Sequence, residues 1–195
     1  MKKSITKIRP KLPKIIPRSV RAPAGDGRGL PQFPPSFPPT GLLAGAAVIT
    51  EPTVRNIFSN VFSEIIPPEE FLIRTIVADN RYLETSAEFV LDSISTDPII
   101  SNSSNYLQEI FDCDDYVQFL KTKMGIYAAT NHLPAPLAVG YILTEEHAFS
   151  FCIGPGSVVS LINTQSDSHA VTSDKDSFAT FLQLHRRNIV QTIYL

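Results

Sequence analysis

Cys113 stands where a loop turns into a helix, His147 follows 34 residues later at the start of a strand, and Asn163 follows 16 residues after that, at the end of the next strand. A thiol at a helix N-terminus is favoured as thiolate, and a neighbouring imidazolium favours it further. An amide beside the imidazole can hold the ring in place, as the third member of a nucleophilic triad does. In that order the three residues predict a cysteine nucleophile (Cys113), a general base (His147) and an orienting amide (Asn163). Phe149 and Phe151 would pack beneath the histidine. His132, His169 and His185 lie in polar or loop surroundings and are weaker bases. The alternative for Cys113 is a small core residue without chemistry.

Asp114 and Asp115 follow the thiol directly. Carboxylates there suit the positive end of the helix dipole but oppose a thiolate by like-charge repulsion. A divalent cation with oxygen ligands would relieve that conflict. Asp114, Asp115 and Gln165 are the expected ligands if the loop after the strand ending at Asn163 returns to the helix start. The alternative is that the two acids are ordinary first-turn residues. No four-ligand Cys/His set exists for structural zinc.

The chain that must position these residues has 195 of them, enough for one core plus an extension. The net charge of −2 conceals a split: residues 1–30 carry nine Lys/Arg against one acid, whereas the other 165 carry eight against eighteen. Nine of the sixteen prolines lie in residues 1–39, which rules out helix there and predicts an extended basic arm over 1–40. Such an arm suits an anionic partner or a larger assembly, with nucleic acid the less favoured choice. Two cysteines make no disulfide framework, and free thiols in a reducing compartment are favoured over one bridge. Neither a secretory signal nor a transmembrane segment is expected.

The folded body is expected over residues 50–195. Thr50-Glu51-Pro52 reads as a helix start, and the helix is expected to run on to Pro67-Pro68, which opens another. Phe71, Leu72, Ile73, Ile76 and Val77 would form the core side of that second helix. A third helix is expected over 83–94. Asp112 caps the helix that carries Cys113, and Gly125 stops it. Alternation then predicts three strands, Leu137–Leu143, His147–Ile153 and Ser157–Asn163, joined by the turns at Glu145-Glu146 and Gly154-Pro155-Gly156. A last helix after Asp176-Ser177 and a strand over Ile189–Leu195 complete an α+β fold, helices first and an antiparallel sheet after.

Three segments carry a resemblance: Phe111-Asp112-Cys113-Asp114-Asp115-Tyr116, Glu146-His147-Ala148-Phe149-Ser150-Phe151 and Leu161-Ile162-Asn163-Thr164-Gln165. Together they resemble the C-terminal domain of fungal chimerolectins of the Marasmius oreades agglutinin type. That family shows Cys-Asp-Asp-aromatic at the helix, His-Ala-aromatic on a strand and acid-Pro-Gln on the next. The resemblance implies a papain-like fold and a calcium-dependent cysteine peptidase, with Cys113 as nucleophile, His147 as base and Asp114, Asp115 and Gln165 at a Ca2+ site. Here Asn163 replaces the acid and Thr164 the proline, which lowers the negative charge offered to a cation. No lectin repeats precede the domain, and the basic arm stands in their place. The resulting expectation is a hydrolase, a thiol protease acting on a protein or peptide substrate. Its rival is a non-catalytic structural or adaptor component of a larger assembly, such as a virion or secretion particle. Thiol chemistry of this kind needs the Cys113 sulfur within about 4 Å of a His147 ring nitrogen.

Overall fold

A computed structural model describes residues 40–101, 112–165, 169–185 and 188–195. These lie in one compact unit, Pro35–Leu195. Of the expected arm over 1–40, residues 1–39 fall outside the described residues.

The α+β class holds. The central sheet has six strands: β2 (Thr75–Ile76), β4 (Val139–Thr144), β5 (Ala148–Gly154), β6 (Val158–Ile162), β7 (Val171–Thr172) and β8 (Val190–Tyr194). Their spatial order is β2-β8-β4-β5-β6-β7, antiparallel except for the β2–β8 pair. The expected meander is β4-β5-β6. Its first turn is Glu145-Glu146, and its second contains Gly156 at φ 73°, a left-handed conformation that glycine adopts without a Cβ clash. β1 (Val48–Thr50) and β3 (Arg81–Leu83) pair separately as a small antiparallel ribbon.

Helices cover both faces of the sheet. Alternation along β5 sends Phe149, Phe151 and Ile153 to one face and Cys152 to the other. The first face meets α1 (Glu51–Phe62) and α5 (Phe178–Phe181), with Phe58 standing edge-on to Phe151 at 5.4 Å and Phe62 6.0 Å from Phe178. The second meets α3 (Ala87–Ser95) and α4 (Cys113–Thr130) through Phe89, Ile94, Tyr116, Leu120 and Met124. Ser86 caps α3 by accepting from the Phe89 amide at 3.2 Å.

Several boundaries differ from expectation. α1 ends at Phe62, well short of Pro67. α2 is short (Pro68–Arg74) and gives way to β2, so Ile76 lies on a strand. Leu72 and Ile73 are 72% and 82% exposed and do not face the core. Arg81–Leu83 is a strand, and α3 begins later, at Ala87. Gly125 does not stop α4, which runs on to Thr130. The last helix is preceded by a 3-10 turn over Lys175–Ser177, capped by Asp174, whose side chain accepts from the Asp176 amide.

Candidate functional site

Cys113 is the first residue of α4, and Asp112 occupies the N-cap position. The helix start abuts the beginning of β5, where the Ala148 amide favours the thiolate. His147 immediately precedes Ala148, so the chain itself brings thiol and imidazole to one end of the sheet. On the neighbouring strand, Asn163 Oδ1 lies 3.4 Å from His147 Nε2 and also accepts from the Gln165 amide at 3.1 Å. The imidazole packs perpendicular to the Phe149 ring, with centroids 4.6 Å apart. Cys113, His147 and Asn163 are all half-buried.

Their charge states do not form an ion pair. Burial pushes the Cys113 thiol up, and Asp112 and Asp114 add to it, against the Ala148 amide. Burial pushes the His147 imidazole down, and the Asn163 hydrogen bond offsets part of this. Both groups are therefore neutral near pH 7. Among the described residues, no hydrogen bond joins the Cys113 sulfur to the His147 ring. Cys152 is free as well, wholly buried against Ser160, with its pKa pushed up by desolvation to about 12.

Three acids cluster at the helix start, and Asp112 and Asp115 share a capping box. Oxygens of Asp112 and Asp114 and the Cys113 sulfur all lie within 4.8 Å of one another. A hydrogen bond in which the Asp114 carboxyl donates to Asp112 raises the Asp114 pKa, followed by burial and by the Asp112 charge. Asp112 Oδ1 is buried without a hydrogen-bond partner among the described residues. Two crowded carboxyls, one with an orphaned oxygen, fit a hard divalent cation. Asp115 instead turns Oδ2 to the Asp112 amide at 3.3 Å, the geometry of a capping box. Gln165 sits beside Asn163 through its backbone, with its Nε2 buried and unpartnered among the described residues. Sequence reasoning named Asp112 only as a cap; its place one residue before the thiol was the available signal.

It also missed the residues that hold the β4–β5 turn. Thr144 Oγ1 accepts from the His147 amide at 3.0 Å and donates to the His147 carbonyl at 2.9 Å. Asn188 Oδ1 accepts from the Glu146 amide at 3.3 Å.

No protein-family model matches the sequence, and no curated protein matches it. Solved structures do. One is a "PSL1a-E64 complex", 18% identical, with a TM-score of 0.55 over 76% of this chain and 50% of that chain. Another is Polyporus squamosus lectin bound to the human-type influenza-binding epitope Neu5Aca2-6Galb1-4GlcNAc, 15% identical, with a TM-score of 0.54 over 76% and 49%. The chain thus spans about half the length of these structures. The expectation of a hydrolase, and of a thiol protease in particular, is corrected here: the neighbouring fold is that of a lectin, and neither neighbour is named as a peptidase. The papain-like description finds no support in them either. What the comparisons establish is an α+β fold shared with a fungal lectin over about half of that lectin's length.

Proposed function

We propose that this chain is a non-hydrolytic binding module in which a divalent cation, calcium by its preference for oxygen, joins the protein to a glycan. The observation that carries this reading is the buried, unpartnered Asp112 Oδ1 beside the Asp114 carboxyl. Calcium takes six to eight oxygen ligands, so two carboxylates leave positions for the hydroxyls of a sugar. The glycan class is that of the epitope bound to Polyporus squamosus lectin. Cys113, His147 and Asn163 border the same helix start. There they act as a neutral polar edge: the thiol and imidazole as weak donors or acceptors, the Asn163 amide as the group that orients the ring. Residues 1–40, with their excess of Lys and Arg, would add electrostatic attachment to an anionic partner.

Calorimetric titration of the full chain with Neu5Acα2-6Galβ1-4GlcNAc tests the reading. Binding is expected with calcium, and is expected to vanish with a chelator or in the Asp112→Asn, Asp114→Asn double variant. Absence of binding with calcium, or equal binding with chelator, overturns it. A second reading, the adaptor component, is favoured by one observation: Leu72 and Ile73 stand side by side on α2, both largely exposed.

A further inference from the structure

We propose that Asn188 is a positioning residue for His147, fixing the turn from which the imidazole is presented. The inference rests on the reading that His147 borders the ligand site. The β4–β5 turn has little packing of its own to hold it, because Glu145 and Glu146 are both exposed. Polar contacts hold it instead. Thr144 closes the turn on itself: its amide donates to the His147 carbonyl at 2.9 Å, and its hydroxyl binds both backbone groups of His147. The ladders at Leu143–Ala148 and Thr144–Val190 carry the strand ends up to the turn; beyond them Glu146 meets a second segment through Asn188 and through its carboxylate, 3.5 Å from His185 Nε2.

Asn188 is the buried part of that tie. It comes 42 residues after Glu146 and is 1% exposed. Its Oδ1 accepts from the Glu146 amide at 3.3 Å, which also reaches Thr144 Oγ1 at 3.4 Å. Its Nδ2 donates to the Gln183 carbonyl at 3.1 Å and the Leu182 carbonyl at 3.4 Å, at the end of α5. The Asn188 backbone is itself fixed by exchanging hydrogen bonds with His185 at 3.0 and 3.1 Å. One buried amide therefore joins the turn before His147 to a second, independently anchored segment. Removing it would take a donor from the Leu182 and Gln183 carbonyls and leave the Glu146 amide only its 3.4 Å contact with Thr144 Oγ1.

The consequence falls on the ring. The His147 Nε2 to Asn163 Oδ1 distance of 3.4 Å is already at the long end of hydrogen-bonding range. A displacement of the turn by a few tenths of an ångström would break that bond and release the imidazole from a single tautomer. A mere structural clip would lower stability and leave the ring unchanged.

The test uses the full chain without cation or glycan, so its outcome is independent of whether the module binds either. Long-range proton–nitrogen NMR of the imidazole reports the tautomer. The wild type is expected to show one tautomer with the proton on Nε2. Asn188→Ala is expected to show averaged or broadened ring nitrogens. Asn131→Ala, which removes another side-chain bond to backbone (to the Tyr127 carbonyl, 2.9 Å), is expected to leave the ring as in the wild type. A wild-type ring spectrum in Asn188→Ala overturns the proposal whether or not the melting temperature falls. Should Asn188→Ala fail to fold, amide exchange in the wild type decides. The Glu146 amide is expected to exchange at least about tenfold slower than that of Glu145; equal rates overturn the proposal.

Discussion

The ring of Phe151 occupies the space that a side chain at Gly140 would need. A Cβ built on Gly140 falls 2.7 Å from Phe151 Cζ and 2.8 Å from Cε1, and closer still to the Tyr194 carbonyl. Gly140 faces Phe151 across β4–β5, and β4 pairs with β8 at Tyr141–Tyr194. The absent side chain thus lets an aromatic ring lie against the centre of the sheet. Gly140→Ala is expected to destabilise by roughly 3 kcal/mol or more, at the upper end for overpacking, since backbone as well as a ring must move. Urea denaturation measures it; a loss below about 1 kcal/mol would show that the sheet yields easily.

A second prediction concerns acid. Lys123 Nζ lies 2.9 Å from Asp97 Oδ2, with both side chains nearly buried, and also donates to the Ser93 carbonyl at 2.8 Å. Burial alone would raise the Asp97 pKa, but the Lys123 hydrogen bond and the Ile100 and Ile99 amides outweigh it and the net shift is downward. The folded pKa is below the unfolded value, so this stabilisation is present above the unfolded pKa of about 3.9 and is lost as pH falls through the folded value. Asp97→Asn should flatten the acid limb of the stability curve. Asp97→Ala should cost about 3–5 kcal/mol at neutral pH by removing the carboxylate that faces the buried lysine charge.

A third prediction separates the cysteines. Cys113 is half-buried and Cys152 is wholly buried. The Cys113 pKa is raised by burial first and by Asp112 and Asp114 next, so its thiolate is scarce at pH 6 and increases with pH. Alkylation of the folded chain should modify Cys113 alone, slowly at pH 6 and faster toward pH 9. A fast reaction already levelled off at pH 6 would mean an activated thiolate, against the neutral polar edge described above.

Much of the site was legible because its cues are local. Glu145-Glu146 and Gly154-Pro155-Gly156 mark turns by composition, and strict alternation between them fixes which β5 residues share the Phe149 face. Asp112 before Cys113 marks a helix start. The charge state was not legible, because desolvation of Cys113 and His147 depends on what packs around them. Gly125 misled for a related reason. A helical glycine costs about 1 kcal/mol, and burial of Met124, Tyr127 and Ala128 on the same helix offsets it. β2 and β3 are two and three residues long, too short for a period to appear. Leu72 and Ile73 have core composition, but on the short α2 it is Phe71 that packs against the core.

That exposure yields a fourth prediction. Leu72→Ser and Ile73→Ser should each change stability by no more than about 0.5 kcal/mol, since neither side chain is largely removed from water on folding. A loss of about 2 kcal/mol or more, of the order expected for a buried aliphatic residue, would place them in the core after all.

The last prediction addresses the cation and divides the three acids at the start of α4. Asp112 and Asp114 crowd one another, and each gains from a positive charge between them. Calcium should therefore raise the melting temperature, and more so with concentration, because a ligand bound only by the native state stabilises by RT ln(1 + [L]/Kd). Asp114→Asn should remove most of that shift. It should also raise stability without calcium, since it relieves the repulsion the cation would otherwise neutralise. Asp115→Ala should behave differently. Its carboxylate meets the Asp112 amide at the helix start, so its loss should cost on the order of 1 kcal/mol with or without calcium and leave the calcium-induced shift in place. Differential scanning calorimetry over a calcium series reads all three effects. If calcium moves no melting temperature, the Asp112–Asp114 pair is an ordinary cluster of first-turn acids. If Asp115→Ala abolishes the shift as Asp114→Asn does, the ligand set is the one the Cys-Asp-Asp spacing first suggested.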